Sequence, residues 1–216
     1  MGGFFFGLFI IAVGIAIIAA RIPFGENIYS KGSYGEFVAW KALQSFTAAG
    51  ACFLHNVYLP KEDGTTTEVD LIMLHISGIY VIESKNYSGW IFGNDRQKMW
   101  TQCLNKYTKT HFPNPINQNW LHIKYLRQVL QTSVPINSVI VFSDRCTLKN
   151  VTVSKPNTII TQYSELQDAI YRLSAGKFTF TQPEVDEMYA KLLPYTNASE
   201  EVKAQHISNI NSKHAS

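Results

Sequence analysis

The stretch Val69-Asp-Leu-Ile-Met-Leu-His-Ile-Ser-Gly-Ile-Tyr-Val-Ile-Glu-Ser-Lys85 decides how this chain folds. Two apolar runs, Val69 to Ile76 and Ile79 to Ile82, flank Ser77-Gly78, a two-residue link of the kind that closes a tight hairpin. With those two residues as the turn, Ile76 pairs with Ile79, Ile72 lies opposite Glu83, and Asp70 lies opposite Lys85. Cross-strand partners share a face, and so do alternate residues along one strand. Asp70, Glu83 and Lys85 therefore converge at the open end of the hairpin, with Ile72, Leu74, Ile76, Ile79 and Val81 behind them. Leu71, Met73, Tyr80 and Ile82 make the other face apolar as well, so this strand pair belongs inside a core. Setting two carboxylates and an ammonium at its rim costs several kcal/mol unless they pair or bind a cation. The spacing alone leaves two accounts open: an ion pair at a strand end, or a site for a hard cation.

The frame around the hairpin is that of one domain with appendages. The 216 residues are 46% hydrophobic and 16% charged, enough to bury a core. Cys52, Cys103 and Cys146 are odd in number and have no Cys-x-x-Cys spacing, which indicates neither a zinc ribbon nor a disulfide framework and fits a reducing compartment. Residues 2–20 carry no charged side chain and are nearly all apolar; at ~1.5 Å per residue they approach the ~30 Å of a bilayer core. Residues 1–21 therefore read as a single transmembrane anchor, and a cleaved signal peptide is the rival, disfavoured by the missing basic leader. Arg21 and Lys31 follow the segment, which places the C-terminal domain on the cytoplasmic side.

Residues 22–32 read as a linker, 33–195 as the folded domain, and 196–216 as a polar, frayed tail. Phe37, Trp40, Leu43 and Phe46 recur at helical spacing up to about Ala49, and Ser33 with Glu36 has the pattern of a capping box. Ala51 to Leu59 is an expected strand and Lys61 to Thr67 a polar loop. Trp90 to Phe92 and Lys98 to Thr101 form an expected second hairpin about Gly93-Asn94-Asp95. Asn114 caps a helix with Pro115 in its first turn and Ile116, Trp120, Ile123 and Leu130 along one stripe. Strands are expected at Ser138 to Phe142 and Thr158 to Thr161, and helices near Ser164 to Leu173 and Pro183 to Leu193. The order predicts an α/β fold: a mixed central sheet flanked by helices, preceded by one transmembrane helix.

Charge is divided along the chain. Residues 36–95 hold seven acids and three bases, whereas 96–150 hold eight bases and one acid. Arg96, Lys98, Lys106, Lys109, Lys124 and Arg127 alternate with Trp100, Tyr107, Phe112, Trp120 and Tyr125, a mixture suited to phosphate contacts and base stacking, or else a solvated basic face beside core aromatics; Trp120, on the helical stripe, reads as core. No zinc finger or recognition helix is present to read sequence, and no Gly-rich phosphate loop. His55, His75, His111 and His122 lack metal-ligand spacing and read as surface residues of strands, loops or a helix.

Four segments together, in order, resemble the nuclease-related (NERD) family of the PD-(D/E)xK nuclease superfamily. They are Lys31-Gly-Ser-Tyr-Gly-Glu36, Glu68-Val-Asp70, Gly78-Ile-Tyr-Val-Ile-Glu83-Ser-Lys85-Asn-Tyr-Ser-Gly89-Trp90 and Asn114-Pro115-Ile-Asn-Gln118-Asn, within about residues 31–150. The resemblance implies a restriction-endonuclease-like core that hydrolyses phosphodiester bonds with Mg²⁺ or Mn²⁺. Asp70 and Glu83 would be metal ligands, and Lys85 would orient the attacking water and offset phosphate charge. Glu36 would add a carboxylate at or near the metal, and Gln118 would lie near the scissile phosphate. Ser84 stands where relatives often have an apolar residue, on the face turned from this chemistry. The expected partner is nucleic acid, DNA before RNA, with a homodimer or a helicase-type protein as further partners. A non-catalytic nucleic-acid-binding or scaffolding module at the membrane is the alternative.

Overall fold

The computed structural model describes residues 31–196 together with 198, 204, 206 and 208. The apolar segment 2–20 and most of the tail lie outside the described residues. Among the described residues no helix is long and apolar enough to cross a membrane.

In chain order the elements are α1 (Lys31–Ala42), β1 (Cys52–Pro60), β2 (Thr66–His75), β3 (Gly78–Lys85), β4 (Gly89–Asn94), β5 (Met99–Cys103), β6 (Lys109–Pro113), α2 (Pro115–Leu130), β7 (Ile136–Phe142), β8 (Cys146–Thr152), β9 (Thr158–Gln162), α3 (Leu166–Ser174) and α4 (Gln182–Leu192). The first sheet has the order β1-β2-β3-β7-β9 and is mixed: β1, β2 and β3 pair antiparallel, while β7 and β9 add in parallel. Its two faces are buried separately. Ile72, Leu74, Ile79 and Val81 pack under α2 and α4 against Ile123, Leu126, Val185 and Leu192. Leu71, Met73, Tyr80 and Ile82 pack on the opposite side against Ala39 and Leu43 of α1 and Leu166 and Ile170 of α3. The expected mixed sheet flanked by helices is thus present.

The second sheet, β6-β5-β4-β8, was foreseen only as the β4-β5 hairpin. Its inner face, with Ile91, Trp100 and Phe112, packs on Ile140 and Phe142 of β7 and Ile116 of α2. Trp100 lies nearly parallel to Phe142, with ring centroids 6.1 Å apart. The β6 strand escaped notice because Lys109-Thr-His-Phe-Pro113 has a single buried residue, and β8 because its pattern is mostly exposed.

The central hairpin differs from its expected register. The turn is Ile76-Ser77, and Gly78 already pairs with His75, so Leu74 faces Ile79 and Leu71 faces Ile82. Side-chain bonds fix the turn there: His75 Nδ1 lies 2.7 Å from Ser77 Oγ, which lies 2.8 Å from the Tyr80 hydroxyl. This also buries His75, read from sequence as a surface residue. The displacement amounts to two residues, so every side chain keeps its expected face. What changes is the partner: extending the ladder sets Asp70 across from Glu83 rather than Lys85.

The first helix is corrected too. It already includes Lys31 to Ser33, so Ser33 is not its cap and Glu36 lies mid-helix; beyond Ala42 the chain turns into a 3-10 segment, Gln44–Ala49. The capping explanation of Glu36 therefore falls away. A Cβ on Gly35 would collide with the Tyr163 hydroxyl and stand 2.8 Å from Ser84 Oγ, so glycine lets α1 settle close to the end of β3.

Candidate active site

Three elements bring the expected site residues together. Asp70 and Glu83 stand on adjacent strands, and Lys85 is two residues beyond Glu83 on the same face. Helix α2 covers them, and its start is fixed from both sides. Asn114 Oδ1 accepts from the Ile116 amide at 2.9 Å, while its Nδ2 donates to the carbonyls of Asn94 and Gln97 in the β4-β5 loop. With Pro115 in the first turn, this is the expected N-cap, now also clamped to the second sheet. One turn further, the buried Asn119 donates to the Val81 carbonyl at 2.9 Å and to Ser138 Oγ at 3.0 Å, holding the helix to β3 and β7.

That placement aims Gln118 and His122, four residues apart and so on one helix face, at the sheet rim. Lys85 Nζ lies 2.6 Å from Glu83 Oε1 and donates to Gln118 Oε1 at 3.1 Å. The other Glu83 oxygen lies 3.2 Å from His122 Nε2, close but off the line of a good hydrogen bond. His122 Nδ1 is 2.8 Å from Thr67 Oγ1. His122 is 4% exposed, so its reading as a surface residue was wrong. The i,i+4 spacing from Gln118 was the signal that could have placed it in the site. Asp70 Oδ2 accepts from the Ser84 amide at 2.9 Å, whereas the Ser84 hydroxyl turns to the other face and meets the Tyr163 hydroxyl at 2.7 Å.

The electrostatics separate the carboxylates. Burial alone would raise Glu83, but the Lys85 ammonium and His122 outweigh it and hold the group down at about 2. Burial likewise works against the Lys85 ammonium, yet Glu83 and Asp70 raise it, so Lys85 stays charged. Asp70 is pushed well above the usual range by burial and by the Glu83 charge. Glu36 rises to about 7, through burial and then the charges of Glu68 and Glu83. With one ammonium already committed to Glu83, the cluster is short of positive charge.

A cavity of about 490 Å³ opens onto this cluster, lined by Asp70, Glu68, Gln118 and His122 from one side and by Lys98 and Pro113 of the second sheet from the other. His206, from the stretch read as a frayed tail, also lines it, with Nε2 3.7 Å from Glu68. The lining offers the carboxylates of Glu68 and Asp70 beside the side chains of Lys61, Lys98, His122 and His206, and the carboxylate oxygens are the donors that a hard divalent cation prefers. As the side chains are set, no three His, Cys, Asp or Glu groups among the described residues stand in ligating geometry.

The basic residues expected to contact nucleic acid do not form one surface. Lys98 lines the cavity, and Lys106 and Lys109 line a separate cleft on the second sheet. Lys124 is held 2.9 Å from Glu62, Arg127 is half-buried, and Arg96 is exposed. Of the interleaved aromatics, Trp100, Phe112 and Tyr125 are core residues; Tyr107 is 82% exposed, with the Lys106 ammonium 4.7 Å from its ring centre.

An α/β core that presents an acidic pair and a lysine at the rim of its central sheet, under a helix carrying glutamine, defines a protein of the nuclease-related class. The profile of the nuclease-related domain, NERD, matches residues 31–143, just over half of the chain. The chain belongs to that family. It is also 30% identical over 206 residues to an uncharacterized protein of Bacillus anthracis, a match that covers 93% of this chain and 96% of the relative.

Proposed function

We propose that the protein is a divalent-metal-dependent nuclease, hydrolysing phosphodiester bonds of nucleic acid, DNA in preference to RNA. The observation that carries this reading is the clustering of Asp70, Glu83, Lys85 and Gln118 at one sheet rim, where Asp70 and Gln118 line an open cavity and Lys85 Nζ lies within 3.1 Å of both Glu83 and Gln118. Asp70 and Glu83, with Glu36 beside them, are the residues that would hold Mg²⁺ or Mn²⁺. Such an ion, when bound, supplies charge stabilisation to the phosphoryl oxygens and lowers the pKa of water. Lys85 remains an ammonium at neutral pH, so its part is to orient water and offset phosphate charge rather than to accept a proton. Gln118 holds the Lys85 ammonium from the helix side. His122, held by Thr67 through its Nδ1, lies against the far oxygen of Glu83.

The test is cleavage of circular and linear, single- and double-stranded DNA by the full chain, with Mg²⁺ or Mn²⁺ and with chelator. Lys85→Ala and Asp70→Ala are expected to abolish metal-dependent cutting while leaving the melting transition cooperative; cutting at the wild-type rate by both variants overturns the reading. One observation favours a second, non-catalytic reading: Glu83 already has Lys85 and His122 against its two oxygens, as a closed structural ion pair would. Titration calorimetry with Mg²⁺ decides between them, since the enzyme reading requires binding heat that Asp70→Ala removes. The apolar segment 2–20 is read as an anchor that holds this domain at the cytoplasmic face of a membrane. Recovery of the chain in the soluble fraction after cell lysis would refute that.

A further inference from the structure

The outer face of the second sheet carries a cleft that the proposed reaction does not use. Register places Trp90 beside Cys103 and Phe92 beside Thr101 on this face, opposite to the buried Ile91 and Trp100. Trp90 is 47% exposed. A single open ring is common on a protein surface, and what sets this one apart is the cleft and the lysines around it. A cleft of about 420 Å³ lies over it, lined by Trp90, Phe92, Asn105, Lys106 and Lys109. Lys149, from β8, sets its ammonium 5.5 Å from the centre of the Trp90 ring. The charge here has one sign. From Gly89 to Pro113 the only acid is Asp95, and its carboxylate is occupied by the Ser154 amide and hydroxyl.

An open aromatic ringed by lysines on a sheet face has the composition of a stacking platform: rings take the flat faces of unpaired bases, and ammonium groups take the phosphates between them. A duplex keeps its bases stacked inside and offers nothing to Trp90. Strands β5 and β6 also run from this cleft to the catalytic cavity. Cys103 and Lys109 are paired at the cleft end, while Met99 and Pro113 are paired at the other, next to Lys98 on the cavity wall. Four residues of strand at ~3.3 Å each separate the two, about 13 Å.

We infer that this face binds a single-stranded segment of nucleic acid, with a base stacked on Trp90, phosphates on Lys106, Lys109 and Lys149, and the strand led along β5 and β6 toward the cavity. The inference rests on the nuclease reading for its substrate class and adds where the unpaired strand lies.

The test is fluorescence anisotropy of a labelled oligothymidylate, and of a blunt duplex of equal length, titrated with the full chain in detergent micelles and chelator, so that nothing is cut. Trp90→Ala is expected to weaken single-strand binding by about 5- to 150-fold, the range of one base–aromatic stack, and Trp90→Phe to recover most of it. Duplex affinity should be essentially unchanged in both. Lys149→Ala should lower the slope of log affinity against log salt by about 0.7, the value for one single-strand phosphate contact. Wild-type single-strand affinity in Trp90→Ala, or an equal loss on strand and duplex, overturns the inference. So does a change in sedimentation without a change in binding, which would make the face a contact between copies of the chain. A wild type that binds the strand through Trp90 yet cuts nothing refutes the nuclease reading and leaves the platform standing. A wild type that cuts, with Trp90→Ala binding and cutting equally well, does the reverse.

Discussion

Glu36 offers the sharpest check on the electrostatics of the site. Its carboxyl is raised from 4.5 to about 7, by burial first and then by Glu68 and Glu83. A raised carboxyl means that the fold prefers the neutral form. The unfolded chain releases this proton near 4.5, so stability falls as pH rises from there to about 7 and is flat beyond it. At about 1.36 kcal/mol per unit the full shift corresponds to about 3 kcal/mol, and solvent screening of a half-buried group leaves on the order of 1–2 kcal/mol. Glu36→Gln carries a neutral side chain at every pH. In chelator it should therefore match the wild type near pH 4 and exceed it at pH 8, by about 2–8 °C in Tm for a domain of this size. Glu83, held at about 2, acts with the opposite sign: its contribution is present above 4.5 and is lost as pH falls toward 2 in wild type and variant alike. The difference between the two proteins isolates Glu36. Scanning calorimetry of both across this range is the measurement. A difference that is constant with pH, or a variant less stable at pH 8, would show that Glu36 does not belong to the crowded carboxylate cluster. Saturating Mg²⁺ should raise the wild-type Tm at pH 8 and narrow the gap, because a bound cation supplies the missing positive charge.

Two further substitutions probe the framework. Asn119→Leu keeps the branching of the side chain but leaves the Val81 carbonyl and Ser138 hydroxyl without their donor, so urea denaturation should show a loss of about 1–3 kcal/mol at unchanged m. Gly93→Ala places a Cβ against the Trp100 ring, which is wholly buried and stacked on Phe142; a loss of about 1–3 kcal/mol is expected, with faster amide exchange in β4 and β5 than in β2 and β3.

Much of the first sheet was legible in the sequence because its strands carry a strong period-two or continuously apolar pattern. The faces of the β2-β3 hairpin followed from alternation alone and survived an error in the turn, since a displacement of two residues cannot exchange faces. The turn itself was misplaced because Ser-Gly is a generic signal. The Ser77 bonds to His75 and Tyr80 that locate it join polar side chains, which a pattern of apolar residues does not show. The short, mostly exposed strands β6 and β8 left little apolar signal to read. Within the site, Asp70, Glu83 and Lys85 could be grouped from strand geometry, and Gln118 came only through family resemblance. His122 was missed because one histidine on a helix carries no message until the helix has a covered face. Interleaving in sequence was a partial guide: Trp100 and Phe112 alternate with lysines yet point inward, whereas Tyr107 is exposed, and so is Trp90, which the interleaved set did not include.

The two sheets divide the charge of the domain between them, and that division has a kinetic consequence. The rim of the first sheet gathers Glu36, Glu68, Asp70 and Glu83 around the single ammonium of Lys85, whereas the outer face of the second gathers Lys106, Lys109 and Lys149. A polyanion approaching the bare domain is drawn to the second sheet, and repulsion from the first grows as pH rises past about 7 and Glu36 ionises. Lys61 and Lys98 line the cavity together with Glu68 and Asp70 and offset part of that charge. A nucleic-acid strand would therefore dock first on the lysine-rich face, and its phosphates would enter the carboxylate cavity more readily once that cavity holds a cation. If the site takes a divalent cation as proposed, binding of the cation must lower the electrostatic barrier to substrate. Affinity measured in chelator would then report the second sheet alone, and affinity for an uncleavable strand should rise when Mg²⁺ is added. Neutralising the cavity by Glu36→Gln should raise it in part even without the ion.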